Sequence, residues 1–275
     1  MKAPSSRRNL DAALQRIASG NREGYLRIRA VVSNTVVSQM LPDGAVKGGS
    51  GLKLRLGDRC TRFTTDLDIA RAATMDAFAK ELDSALSAGW GGFTGRLVEK
   101  EPAHPKGVPT HYVMQPYEVK LSYNGKAWCT VTLEVGHNEI GDADDPDWGI
   151  AQDVVELFER LGLPCPAPVP LMPMPHQIAQ KLHALTESGS HRAHDLIDLQ
   201  LIEGDTQVDL IKTRNVCARL FAYRKAQQWP PRIICGDDWA TAYDAQRADL
   251  PVLPSVEAAV NWANELIVRI DSAGL

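Results

Sequence analysis

Apolar residues recur at helical spacing over residues 10–17 and 25–40, and Gly20-Asn21 separates the two runs as a break. Pro42-Asp43-Gly44 predicts a turn, followed by a short strand over 45–47 that ends at Gly48-Gly49. Ser50 stands where it could cap a short helix reaching Leu56, with Gly57 to terminate it. Thr65, Leu67 and Ile69 alternate with Asp66 and Asp68, the period of a half-buried strand. Residues 74–88 read as a helix closed by Gly89. Residues 117–123 and 127–135 alternate on either side of Asn124-Gly125, a strong hairpin signal. In the second of these strands Cys129, Val131, Leu133 and Val135 share one face, which leaves Thr132 and Glu134 on the other.

After a predicted helix over 150–161 come six prolines within residues 164–175. Such a segment can continue neither a helix nor a central strand, and it predicts a stiff extended connector. Beyond it the pattern is helical over 176–187, 192–202, 209–228 and 255–270. The expected fold class is α+β and bilobed. A mixed-sheet α/β lobe would occupy 1–163, the connector 164–175, and a helical lobe 176–275.

Composition narrows the setting. With 275 residues and 44% hydrophobic content, the chain can bury a substantial core. It has no run of about 18 apolar residues, so no membrane span is expected. The first eight residues are polar and basic, unlike a secretory signal. Five cysteines without a CxxC pair argue against a disulfide framework or a zinc site, which makes a cytoplasmic setting the expectation. The net charge of −4 offers no global attraction to nucleic acid. Acid gathers at Asp142, Asp144, Asp145 and Asp147. Base gathers at Lys212, Arg214, Arg219, Arg224, Lys225 and Arg232, where it would either grip a polyanion or solvate helix faces.

The candidate chemistry starts at Gly48-Gly49-Ser50-Gly51. Glycines admit a ligand close to the backbone, and the N–H groups of a following helix favour phosphate. Asp66 and Asp68, spaced i, i+2 on a strand, point to one face, where their mutual repulsion calls for a cation. Mg2+ suits one or two carboxylates together with waters and substrate phosphates. The turn is neither a Walker A loop nor a dinucleotide fingerprint. Glu134 is the candidate third carboxylate, with Glu118 as its rival. Lys181 lies among apolar neighbours, where a solvated surface lysine is the ordinary reading. Asp195 and Asp198, at i and i+3, share part of a helix face. His176, His183, His191 and His194 form no HExxH-like metal pair.

Taken in order, GGSGL, RFTTDLD, a lysine-bearing helix (QKLHAL) and HDLIDL resemble the AbiEii/AbiGii-type nucleotidyltransferase toxins of the DNA polymerase β-like nucleotidyltransferase superfamily. The resemblance implies an enzyme that transfers a nucleotide from an NTP with Mg2+, acts on the 3′ end of tRNA as several relatives do, and has an antitoxin partner. Position by position it implies that Gly49 and Ser50, with Gly48 beside them, hold NTP phosphates, and that Asp66 and Asp68 hold the metal. Arg62 would contact a phosphate oxygen, Lys181 would face the triphosphate, and Asp195 would be the aspartate required beside it. Thr65 fills the small-hydroxyl position before the first aspartate, with Thr64 as the alternative. Nucleotide transfer to a protein hydroxyl, or a catalytically silent RNA- or antitoxin-binding module, are the other readings.

Overall fold

The computed structural model of the protein describes residues 2–102 and 113–274. Its elements run α1 (Arg7–Ile17), α2 (Arg22–Ser38), β1 (Gly44–Lys47), α3 (Gly48–Leu56), β2 (Leu67–Arg71), α4 (Met75–Ala88), β3 (Phe93–Glu99), β4 (Gln115–Tyr123), β5 (Lys126–Gly136), β6 (Asp147–Gly149), α5 (Gln152–Leu161) and β7 (Val169–Leu171). Five helices follow among the described residues: α6 (Met174–Thr186), α7 (His194–Asp205), α8 (Leu210–Arg224), α9 (Trp239–Arg247) and α10 (Val256–Asp271). The fold is α+β. The chain divides into two compact units, one of Met1–Arg59 with Phe63–Met172 and one of Cys60–Arg62 with Pro173–Leu275.

The first unit is built on a seven-stranded mixed sheet in the order β3-β4-β5-β2-β1-β7-β6. Alternation along the central strands sorts the side chains. Val46, Leu67, Ile69, Leu133 and Val135 are buried in one core with Leu10 and Leu14 of α1, Val32 and Val36 of α2, Phe78 and Leu82 of α4, and Phe158 of α5. Helix starts follow local chemistry: the side chains of Ser6, Asn21 and Thr74 each accept a main-chain N–H of the first turn. Asn124 and Gly125 take φ of 46° and 72°, the paired positive angles of a tight hairpin turn.

Three expectations change. Ser50 does not cap α3, because the helix starts two residues earlier. Lys47 occupies the cap position without a side-chain bond, and Ser50 lies in the first turn. The proline-rich segment is more than a connector, since Val169–Leu171 pairs with both β1 and β6. So short a strand asks for few donors, and Met172 N, just beyond it, donates to the Val46 carbonyl at 2.8 Å. Where β4 pairs with β5, the register shifts by one residue between Leu121 and Ser122, which leaves Trp128 of β5 as the extra residue and buries it as well as the predicted Val131, Leu133 and Val135.

The second unit is helical among its described residues. Asp209 and Ser255 cap α8 and α10 with their side chains. Leu182, Leu196, Leu220, Phe221, Tyr243 and Ile267 are among its buried apolar side chains. Among the described residues no helix is long and apolar enough to cross a membrane.

Candidate active site

Strand register builds the first group. Asp68 lies opposite Lys47 on antiparallel β1 and opposite Glu134 on parallel β5. Leu67 and Ile69 point into the core, so Asp68 and its cross-strand neighbours Lys47 and Glu134 share the other face of the sheet. All three side chains are half-buried. Glu118, the rival third carboxylate, sits opposite Thr132, and its Oε2 takes a 2.6 Å ion pair from Lys120. The Lys120 hydrogen bond is the main cause holding the Glu118 carboxyl below its ordinary range. Asp66 is exposed just before β2, and Thr65 Oγ1 donates to its Oδ1 at 3.2 Å.

The glycine turn comes up against these carboxylates. Gly48 has φ of +63°, and a Cβ at that position would meet Asp68 Oδ2 at 2.1 Å. Only a residue without a side chain permits this approach. No side chain caps the start of α3, so the N–H groups of its first turn are left to other acceptors, as anion-binding helix termini leave them. Ser50 is buried. Its Oγ donates to the Asp66 carbonyl and accepts a 3.0 Å bond from Asn34 Nδ2, which also donates to the Thr65 carbonyl at 3.2 Å. A buried hydroxyl and a buried amide thus tie α2, α3 and the approach to β2 together.

Oxygen donors suit a hard divalent cation. Among the described residues no group of three or more His, Cys, Asp or Glu side chains is drawn together tightly enough to hold a metal alone. Asp66, Asp68 and Glu134 supply oxygen donors of the kind Mg2+ takes together with waters and substrate phosphates.

The second unit brings together Arg62, Lys181 and Asp195, and it adds Asp198. Lys181 is 4% exposed, and its Nζ bonds Asp195 Oδ1 at 2.7 Å and Asp198 Oδ2 at 2.6 Å. It is no solvated surface lysine. Arg62 forks onto Asp198 with bonds of 2.9 and 3.2 Å, and Arg192 reaches Asp195 Oδ2 at 2.9 Å. Burial works against the charge on both aspartates, but Lys181 and the arginines outweigh it and hold both carboxyls below their ordinary range. His194 is pushed the other way from a charged state. Burial lowers its pKa to about 4, against the pull of Asp195 and with help from Arg62 and Arg192.

These motifs can be set beside known proteins. The family model of the nucleotidyl transferase AbiEii toxin, type IV toxin–antitoxin system, matches residues 31–264. The chain belongs to the AbiEii nucleotidyltransferase toxin family. Among solved structures it is similar to MenT4, a nucleotidyltransferase toxin from Mycobacterium tuberculosis H37Rv, at a TM-score of 0.63 and 16% identity over 95% of this chain and 89% of that one. At that identity the likeness is one of fold. JHP933 from Helicobacter pylori aligns at a TM-score of 0.41 and 16% identity over 88% of this chain and 90% of that one, too distant to carry an argument. No curated protein matches the sequence.

For an AbiEii-family chain, Lys47 and Asn34 went unnoticed from sequence, and Asp198 was noticed only for its spacing. Lys47 carried a signal, its place two residues along β1 from Ala45 on the face opposite Val46. Asp198 carried one too, the i, i+3 spacing from Asp195. Asn34 carried none, because a polar residue inside a long helical run does not announce what it will face.

Proposed function

We propose that this AbiEii-family chain is a Mg2+-dependent nucleotidyltransferase that moves a nucleotide from an NTP to an acceptor hydroxyl, the 3′-OH of a tRNA, and so blocks translation. The observation that carries the reading is the placement of Asp68 directly across from Glu134, with the Gly48 backbone in contact range of its carboxylate. That combination joins a carboxylate pair to a glycine turn packed against it.

In this reading Asp66, Asp68 and Glu134 hold the metal, and Gly48 and Gly49 present main-chain N–H groups to the triphosphate. Ser50 contributes its main-chain N–H, its hydroxyl being committed to the Asp66 carbonyl. Thr65 and Arg62 are assigned to phosphate oxygens. When bound, Mg2+ would neutralise phosphate charge and lower the barrier to attack by the acceptor hydroxyl. Lys181 is assigned to the charge that grows on departing pyrophosphate. A cation clamped by two carboxylates is already oriented, and preorganised charge stabilises a transition state more than a wandering one. Asp195 holds that orientation. A protein of the toxin–antitoxin class also implies an antitoxin partner, and a cytoplasmic site of action follows from a tRNA acceptor.

Incubation with total RNA and each α-labelled NTP in turn tests this reading. Label in an RNA of tRNA size supports it. Label in protein would move the acceptor to a protein hydroxyl, and release of labelled nucleotide alone would make the enzyme a hydrolase.

A further inference from the structure

Two features of the chain lie outside the proposed chemistry: the acidic run from Asp142 to Asp147 and the proline-rich segment. They meet at one place. A groove of about 740 Å³ in the first unit is lined by apolar side chains, Leu41, Trp148 and Pro168 among them, and by the carboxylates of Asp43, Glu81 and Asp144. No Lys, Arg or His lines it among the described residues. Trp148 is 68% exposed, more than any other described aromatic side chain. It stands on β6, the terminal strand of the sheet, opposite Pro170.

We infer that this groove is a docking surface for a basic segment of a partner protein, one that carries arginine beside an apolar side chain. Charge complementarity chooses the occupant. Three lining carboxylates, with Asp145 close along the chain, repel a phosphate backbone and attract a cationic peptide, while Asp147 is already paired with Arg55 at 2.8 Å. The exposed indole supplies what carboxylates alone do not. Its face accepts a guanidinium, and tryptophan is among the residues that dominate interface energetics. Pro168 and Pro170 hold their part of the lining extended, so little order has to be gained on binding. Edge strands commonly use shortness and charge to avoid pairing with other copies, and Asp147 fits that use. An exposed tryptophan on the same strand runs against it, and a partner explains it.

The test uses the full chain and a labelled synthetic arginine–leucine peptide, followed by fluorescence anisotropy, with a glutamate–leucine peptide of equal length as control. The expected result is saturable binding of the basic peptide only, weakening with salt. Trp148→Ala, and separately the pair Asp43→Asn with Glu81→Gln, should each lower the affinity about tenfold or more, the range of a lost anchor residue. Nucleotide transfer should be unchanged in these variants. Equal peptide affinity in wild type and variants would overturn the inference. So would tRNA binding that the same substitutions alter, or self-association of the chain that Trp148→Ala abolishes, which would make a second copy the occupant.

Discussion

The Ser50 hydroxyl donates to the main-chain carbonyl of Asp66, which fixes the glycine turn to the first carboxylate of the site. Asn34 completes the tie by donating to both Ser50 and Thr65. Because all three contacts are buried or half-buried, removing one partner leaves another polar atom unsatisfied. Ser50→Ala and Asn34→Ala should each cost about 1–3 kcal/mol. The two should not add, since they break one network. Urea unfolding of the single and double variants measures this; a double variant that costs the full sum would show that the two side chains act independently.

Gly48→Ala separates backbone strain from site disruption. Gly48 and Gly125 both have positive φ, 63° and 72°, but an added Cβ meets Asp68 at the first and nothing within 4 Å at the second. Both substitutions should cost on the order of 1–3 kcal/mol in strain. Only Gly48→Ala should also displace the Asp68 carboxylate and lower transfer, by about a hundredfold, the scale of a small misplacement at a reacting centre. Comparison of kcat/KM for the two variants checks it, and equal values would contradict the close approach.

Much of this architecture was legible because local chemistry and tertiary packing agree. The helix expected over 74–88 is α4, Asn124-Gly125 turns the hairpin, and the expected strand around Leu67 and Ile69 is β2, although it starts at Leu67 and leaves Asp66 just before it. The misses have physical causes. Phe93–Glu99 is a strand whose alternation is blurred by Gly95 and Arg96, and its pairing with β4 is what defines it. Proline argued against Val169–Leu171, yet three residues need few donors. At the candidate site, spacing placed Asp66 and Asp68 near one face, but only register could set Glu134 rather than Glu118 across from Asp68. The burial of Lys181 depends on which helices surround it, and no local pattern encodes that.

Lys181→Ala leaves Asp195 and Asp198 buried without their ammonium partner, which should cost about 3–5 kcal/mol. A surface lysine would cost less than about 0.5 kcal/mol. Urea midpoints decide between the two. Turnover of this variant should be expressed per folded molecule, and a loss of transfer beyond the unfolded fraction is expected.

The second unit should also carry a distinct pH signature. His194 has its pKa lowered by burial from 6.5 to about 4, so it is neutral in the fold while the unfolded chain binds a proton below pH 6.5. The unfolded state therefore holds more protons between pH 6.5 and 4, and stability falls as the pH falls through that window, by about 3 kcal/mol in all. Asp195 and Asp198 act in a different range. Their lowered pKa values give a contribution that is complete above 3.8 and is lost only as the pH drops below it. His194→Asn should flatten the pH dependence between 6.5 and 4 and leave the acid loss below it. Chemical unfolding across that range is the check, and an unchanged slope would mean that another group titrates.

Asp68, set across from Glu134 and against Gly48, is proposed to belong to a metal-holding centre for nucleotide transfer. The most direct measurement is label transfer from an α-labelled NTP to tRNA in Mg2+ by wild type and by Asp68→Asn, with the fold of each verified by circular dichroism. A metal-holding carboxylate contributes several kcal/mol to the transition state, and each ~1.4 kcal/mol is a factor of ten in rate. The predicted result is a folded variant whose transfer falls by about a hundredfold or more. Transfer near the wild-type rate by folded Asp68→Asn would contradict the account.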